Sequence, residues 1–271
     1  MNPTFLQEKN NHERDNHIIF DEVPHIYTID GDSNYMSVTR WNHSHFSKFD
    51  AEKVINNMKN GKNWNESNKY WGMTNDEIKE LWSKNGKEQS QKGTDLHYDI
   101  ECYYNNIDIS NNTIEWTYFL KFLENHKHLT PYRTEWMVWD KELRVAGSID
   151  MVFENEDGRL SIYDWKRAKE IKRRTWSYSK TECIDHIPDS NFWHYSLQLN
   201  TYKYLLEKNY GKEIKDMYLV RLHPNNKNST YEKIEVPNLQ SEIKDLMELR
   251  KNNLLNELIN NNIKWKIFLI F

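Results

Sequence analysis

The sequence predicts an α/β fold, in which a mixed central β-sheet is flanked by helices. One segment, residues 145–166, has the pattern of a β-hairpin and is expected in the middle of the sheet. Apolar residues at helical spacing come before and after it, in residues 50–105, 192–208 and 239–263. Strands and helices that follow one another along a single chain are typical of this fold class.

Length and composition agree with one large domain or two small ones. The chain has 271 residues, and an aromatic share of 14%, with 11 Trp, allows a sizeable core although only 37% of the residues are hydrophobic. Residues 1–17 are polar and lack the apolar centre of a secretory signal. We predict a flexible arm over residues 1–17 and a single domain over 18–271, divided into an N-terminal hairpin and helical region (18–130) and a core (131–271).

The cysteines and the net charge indicate the compartment and the partners that suit this protein. Cys102 and Cys183 lie far apart in the sequence, which favours a reducing, intracellular compartment and not secretion. Two thiols cannot supply four ligands to an iron–sulfur cluster, so none is expected. No apolar run reaches membrane-spanning length, so no membrane contact is predicted. The net charge of −4 is awkward for a protein that binds nucleic acid, although a local basic strip could still attract it.

The remaining elements follow from local patterns. Gly86 and Gly93 are expected to interrupt the helical region at 50–105, which contains a capping box that begins at Thr74. The sequence Asp30-Gly31 marks a turn within the N-terminal hairpin. Short strands are predicted at residues 18–20, 25–29, 35–38, 134–139, 217–222 and 231–236, a further helix at 116–123, and a docked strand or tail at 265–271.

The central hairpin determines which of its residues face each other. Its turn sequence, Asn-Glu-Asp-Gly, predicts a three-residue loop that pairs Asn155 with Arg159. Counting outward from this pair sets Asp150 opposite Asp164, with the Cβ atoms about 4.5–5.5 Å apart. Lys166 lies two residues beyond Asp164 and therefore points to the same face.

Two facing carboxylates repel each other unless a positive charge lies between them. Mg²⁺ or Mn²⁺, which prefer hard oxygen ligands, would meet that need. Lys166 could then orient a nucleophilic water or stabilise negative charge on a phosphate. The alternative is a surface hairpin with unrelated charges. The run from Leu160 to Lys166 argues against it, because this run is apolar enough to be buried on both faces, and buried charges are normally paired or metal-bound.

Asp150 followed by Asp164-Trp165-Lys166 resembles the signature of the PD-(D/E)XK nucleases. The sequence Ala-Gly-Ser-Ile-Asp that ends at Asp150 is similar to the RecB-type exonuclease branch, and most of all to the mitochondrial genome maintenance exonucleases. The resemblance implies a restriction-endonuclease-like core that hydrolyses phosphodiester bonds with a bound metal. It also implies that the backbone carbonyl of Trp165 is a metal ligand.

Two further segments extend the resemblance toward the metal. The pattern Gly-Thr-x-Leu-His-x-x-x-Glu resembles the first motif of the RecB-type branch, in which the histidine, here His97, lies at the metal. Glu101 shares a helix face with His97 and could orient it. Glu135 begins a predicted strand, where members of the family often place another carboxylate near the metal. A hydrogen-bonded structural histidine and a solvated acid at the strand end are the alternatives.

The predicted substrate contacts lie beyond the hairpin. Six of the nine residues from Lys166 to Arg174 are basic, which indicates either a solvated face or a path for phosphates, and Trp176 and Tyr178 follow as candidates for base stacking. A Gln and a Tyr four apart on helix 192–208 resemble the last RecB-type motif, which contacts phosphate or DNA. The predicted substrate-binding residues are Gln198, Tyr202, Arg167, Lys169, Lys172, Arg173 and Arg174.

The sequence therefore predicts a metal-dependent DNA exonuclease that prefers single-stranded ends. Its expected catalytic residues are Asp150, Asp164, Lys166 and His97, and its expected metal ligands are Asp150, Asp164, Trp165, His97 and Glu135. A structure-specific or restriction-type endonuclease on the same core is one alternative. A nucleic-acid-binding module without activity is another, and RNA stays open as a substrate.

Overall fold

A mixed β-sheet of six strands runs through the centre of the computed structural model, which describes residues 3–268, with side chains described for residues 3–260. The predicted fold class is confirmed. The helices are α1 (Phe5–Lys9), α2 (Val38–His43), α3 (Ala51–Lys59), α4 (Asn75–Tyr104), α5 (Ile114–Asn125), α6 (Asn191–Asn209) and α7 (Gln240–Phe268). The strands are β1 (Ile18–Asp21), β2 (Ile26–Ile29), β3 (Met36–Ser37), β4 (Thr130–Asp140), β5 (Val145–Glu154), β6 (Leu160–Lys166), β7 (Ile214–Arg221) and β8 (Glu232–Glu235).

Strand β5 pairs with three other strands, β3, β4 and β6, and we call the point where its partners change the fork of β5. Strand β4 runs antiparallel along one edge of β5 for almost its whole length. The other edge is shared: β3 pairs in parallel with Val145 and Ala146, and β6 pairs antiparallel with residues 151–154. Strand β7 then joins β6 in parallel, and β8 joins β7 antiparallel. Asp150 lies in the gap between the two partners on the shared edge.

Helices cover both faces of the sheet and enclose two cores. One face packs against α2, α6 and α7, and the other face packs against α4 and α5. Successive side chains of β6 point to opposite faces of the sheet, as in any strand. Ile162 packs in the first core, on the side of α2, α6 and α7, and Tyr163 packs in the second core, on the side of α4 and α5. The sheet is therefore buried on both sides, which explains the continuous apolar run in β6.

The N-terminal hairpin packs beside the sheet as a small third cluster. Strands β1 and β2 pair antiparallel and bury Ile18 and Tyr27 against Trp139 of β4. The predicted strand at residues 35–38 is shorter than expected. Its third residue, Ser37, accepts a hydrogen bond from the backbone N–H of Arg40 and so begins helix α2.

Residues 3–17 pack against the domain, whereas the sequence predicts a flexible arm over residues 1–17. Leu6 of α1 is buried in the second core. Asp15 forms a buried ion pair with Arg133 of β4 at 2.7 Å and accepts a hydrogen bond from Nε1 of Trp136. The guanidinium of Arg14 stacks on the ring of Trp139. The sequence looked like an arm because these polar side chains find their partners more than 100 residues away.

Two other predictions need correction. Helix α4 continues through Gly86 and Gly93, because a cost of about 1 kcal/mol per helical glycine is small beside the capping box at Thr74 and the burial of Leu96 and Ile100. Residues 265–268 extend α7 and do not form a separate strand or tail, and residues 269–271 lie outside the described part of the chain. Within residues 3–268, no helix combines the length and apolar character that crossing a membrane requires.

Candidate active site

Three carboxylates lie in a row across neighbouring strands. The register of β4 on β5 sets Glu135 beside Asp150. The register of β5 on β6, which is the one predicted from the turn, pairs Met151 with Tyr163, and the ladder ends there. Asp164 is the next residue of β6, and Asp150 lies close enough to raise its pKa. The sheet thus carries one acid on each of the neighbouring strands β4, β5 and β6, at the fork of β5.

The backbone is irregular at this row. Both ladders skip Asp150, and Glu135 adopts φ 40°, in the left-handed region that non-glycine residues rarely occupy. Ile149 and Met151 are two residues apart but pack in opposite cores, so the side-chain alternation of β5 breaks at Asp150. Oδ2 of Asp150 accepts a hydrogen bond from the backbone N–H of Trp165 at 3.0 Å. Strained backbone of this kind is typical of functional sites.

Helix α4 brings a histidine to the row. Nε2 of His97 lies 2.8 Å from the carbonyl oxygen of Trp165, and Nδ1 lies 3.5 Å from Oδ2 of Asp150. His97, Glu135 and Asp150 offer ligand atoms that all lie within 4.8 Å of one another. An imidazole, two carboxylates and a nearby backbone carbonyl form a donor set that fits Mg²⁺ or Mn²⁺.

Two glutamates at this cluster, Glu135 and Glu101, hold protons more tightly than usual. Burial raises the pKa of Glu135, and the Asp150 carboxylate raises it further, while a 2.7 Å hydrogen bond from Ser148 opposes the change. Burial also raises the pKa of Glu101 to about 7. A divalent cation would offset the repulsion that causes part of these shifts.

Asp164 and Lys166 form an ion pair on the α6 side of the row. Nζ of Lys166 lies 2.7 Å from Oδ2 of Asp164 and 4.7 Å from the ring centre of Tyr195. Burial raises the pKa of Asp164 although the lysine opposes it. Burial alone would lower the pKa of Lys166, but Asp164 and Asp150 raise it overall, so the side chain stays an ammonium. Asp164 is not one of the three clustered ligands, and its Oδ2 makes no other hydrogen bond among the described residues.

Comparison with known families decides the classification, because the PD-(D/E)XK nuclease superfamily matches residues 74–264. The chain belongs to this superfamily. Two solved structures are similar at low identity: SSO0001 (15% identity, 93% of this chain and 84% of that chain, TM-score 0.36) and a "Putative exonuclease" from Eubacterium rectale (13%, 83% and 80%, TM-score 0.39). No curated protein matches the chain.

In this PD-(D/E)XK nuclease, Gln198 and Tyr202 of helix α6 are hydrogen-bonded to each other. Nε2 of Gln198 donates to the Tyr202 hydroxyl and to Oγ1 of Thr39, both at 3.2 Å. Tyr202 is only 3% exposed, because the sheet covers its ring, and its contact with the substrate stays a prediction. A Cβ on Gly147 would lie 2.8 Å from Cε1 of Tyr202, so the strand needs glycine there.

The basic strip of the nuclease divides into an inner and an outer part. Arg167 is 9% exposed and is paired with Glu115 of α5 at 2.7 Å, and it also donates to Gln89 of α4. Its guanidinium is therefore already engaged between two helices, and the role of Arg167 in substrate binding stays a prediction. The outer residues are exposed, as a substrate-binding strip requires: Lys169, Lys172, Arg173 and Arg174.

Glu101 and two residues that sequence reasoning missed complete the site. No hydrogen bond joins Glu101 to His97 among the described residues, and Glu101 instead lies close enough to Glu135 to raise its pKa. Ser148 holds Glu135, and its place in the Ala-Gly-Ser-Ile-Asp segment was the signal available for it. Tyr195 had no such signal, because its contact with Lys166 depends on how α6 docks.

Proposed function

We propose that the protein is a metal-dependent DNA exonuclease of the RecB-type branch that acts on single-stranded ends, with residues 18–271 as one nuclease domain. The observation that carries the proposal is the metal-binding group of His97, Glu135 and Asp150 beside the Asp164–Lys166 pair. The contact between His97 and the Trp165 carbonyl supports the branch, because the resemblance implies that both lie at the metal.

The residues of the site would have two roles in hydrolysis, which are binding of the metal and stabilisation of charge. His97, Glu135, Asp150 and the Trp165 carbonyl would hold Mg²⁺ or Mn²⁺, with Asp164 as a further ligand. The bound ion would polarise the scissile phosphate and lower the pKa of a water. The Lys166 ammonium would orient that water or neutralise charge that develops on the phosphate oxygens, and Asp164 would keep it protonated.

The strand itself would be held outside the metal group. Gln198 is partly exposed, and a phosphate oxygen would replace Thr39 Oγ1 as the acceptor of one of its two amide N–H groups. The exposed lysines and arginines from Lys169 to Arg174 would supply the local positive charge that the acidic chain lacks as a whole.

A nuclease assay tests the proposal. End-labelled linear single-stranded DNA, the matching RNA and closed DNA circles are incubated with Mg²⁺, Mn²⁺ or EDTA. The wild-type chain is compared with Asp164→Ala and with Asp108→Ala, which removes an exposed loop carboxylate. Degradation of linear DNA that is lost with EDTA and with Asp164→Ala, but kept by Asp108→Ala, is expected.

Other results of this assay would favour one of the alternative functions. Metal-dependent cutting of circles would replace the exonuclease with an endonuclease. Preferential degradation of the RNA would change the substrate. Retained DNA binding without metal-dependent cleavage of any substrate would refute the enzyme and leave the binding module.

A further inference from the structure

A groove next to the catalytic pair combines basic and aromatic side chains. We call it the Trp176 groove, and it is lined by Lys169, Lys172, Arg174, Trp176, Tyr178 and Asn191. The indole of Trp176 is fully exposed and Tyr178 is about half exposed. Among the described residues, no other ring packs on Trp176, so both of its faces are open to a ligand. Two acids also line the groove, but Glu170 is paired with Lys172 and Asp189 with His194.

The segment that carries Trp176 is tied down on both sides. The side chain of Asn191 accepts a hydrogen bond from the backbone N–H of Lys172 and donates one to the carbonyl of Glu170, both at 2.8 Å. Nε1 of Trp193 donates to the carbonyl of Arg173 at 3.0 Å, and the N–H of Asp189 donates to the carbonyl of Ser177 at 2.8 Å. The indole therefore projects from a fixed support, which lowers the entropy cost of stacking on it.

The groove is connected to the proposed active site through helix α6 and through the segment that follows β6. Helix α6 begins in the groove at Asn191, and Tyr195, one helical turn or about 6 Å further along, contacts Lys166. On the other side, Lys169 follows Lys166 by three residues, and Arg221 holds its carbonyl in place. A strand bound in the groove would therefore lie near Lys166.

The chemistry of the lining selects the ligand. Lysine and arginine at the rim suit a polyanion, and an unstacked indole suits a flat aromatic group. Both are present in a nucleic-acid strand whose bases are free, whereas the bases of a duplex are already stacked on each other. We propose that the Trp176 groove binds single-stranded nucleic acid beside the scissile phosphate, with one unpaired base stacked on Trp176. The identity of the ligand rests on the proposed nuclease function.

Binding in EDTA tests the groove separately from catalysis. Fluorescence anisotropy is measured for labelled oligothymidylate, its RNA counterpart and a blunt DNA duplex with the full chain. Trp176→Ala is expected to weaken binding of the single strand about 5- to 140-fold, since stacking is worth about 1–3 kcal/mol per base and 1.4 kcal/mol is tenfold. Trp176→Phe keeps an aromatic face and should restore most of the affinity. Neither variant should change duplex binding.

The rim is tested by its salt dependence. A plot of the logarithm of the binding constant for the single strand against the logarithm of the salt concentration has a negative slope. Lys169→Gln should make this slope less steep by about 0.7 for each phosphate that the lysine no longer neutralises. Lys215→Gln removes an exposed lysine at the opposite end of β6 and should leave the slope unchanged. Equal effects on the DNA and RNA strands would assign the groove to single strands in general, and an effect on one alone would assign it to that strand.

The inference is overturned if Trp176→Ala binds the single strand as tightly as the wild type, or if it loses duplex binding to the same extent. This failure is distinct from failure of the proposed function. A wild-type chain that cleaves DNA while Trp176→Ala binds normally would refute the groove alone. A chain that never cleaves but needs Trp176 for single-strand binding would refute the enzyme alone.

Discussion

The substitution Gly147→Ala is expected to destabilise the protein, because the strand that carries Asp150 packs directly on a buried ring. The new Cβ would lie 2.8 Å from Cε1 and 3.0 Å from the hydroxyl oxygen of Tyr202, and 3.2 Å from Cβ of Val38. Real Cβ contacts are rarely this short, and neither the strand nor the buried ring can move freely. The φ angle of Gly147 is not in the left-handed region, so lack of space is the whole cause.

Overpacking of this kind typically costs about 1–3 kcal/mol of unfolding free energy. The matched control is Gly86→Ala in α4, where the structure places nothing within 4 Å of the new Cβ. Alanine is favoured over glycine inside a helix, so this control should stabilise the protein by about 0.5–1 kcal/mol. The two glycine-to-alanine changes thus have opposite predicted signs.

Equilibrium urea denaturation measures both changes as shifts of the midpoint at constant slope. Replacing the ring with Tyr202→Leu removes the atoms that clash, so Gly147→Ala should cost clearly less in that background than in the wild type. A neutral Gly147→Ala, or a cost that is the same in both backgrounds, would refute the steric explanation.

Three further predictions concern the N-terminal segment, a buried histidine and the catalytic lysine. Asp15→Ala leaves Arg133 buried without its carboxylate and should lower the unfolding free energy by about 3–5 kcal/mol in urea denaturation; a loss below about 1 kcal/mol would contradict the packed N-terminus. Burial lowers the pKa of His45 to about 4 from 6.5, so the unfolded chain binds the proton first, and stability present above pH 6.5 should be lost as the pH falls toward 4. The loss should reach about 3 kcal/mol and be absent in His45→Gln, and equal acid curves for the two proteins would disprove it. Tyr195→Leu removes the ring beneath Lys166 and should reduce the cleavage rate several-fold, by about 1 kcal/mol in the barrier, whereas Tyr195→Phe should keep most of it; equal rates for the two variants would exclude positioning through the ring.

The fold was accessible from the sequence where local rules decide the structure. The turn at residues 155–158 sets the pairing of β5 with β6, because loop length fixes hairpin register, and the structure has that pairing as far as Met151 with Tyr163. The capping box at Thr74 likewise marks the start of α4. Local propensity failed at Gly86, where the gain from a long packed helix exceeds the local cost.

The parts of the candidate site that depend on distant partners were not accessible. Arg167 stands in a basic run, and only the approach of α5 reveals that Glu115 already pairs with it. Glu135 was predicted from the resemblance, but its left-handed backbone and the break in the β4–β5 ladder at Glu135 and Asp150 have no signature in the sequence. Single residues in a motif were therefore easier to predict than the contacts that determine their roles.

The central claim is that the row of acids at the fork of β5 is a metal centre on which cleavage depends. Titration of the full chain with Mn²⁺, monitored by isothermal calorimetry, tests this claim most directly. The nuclease assay is run on the same samples. We expect wild-type protein to bind Mn²⁺ and cleave DNA, Asp150→Asn to lose both, and Asp108→Ala to keep both. Unchanged Mn²⁺ binding in Asp150→Asn, or cleavage by the wild type that persists in EDTA, would contradict the metal centre.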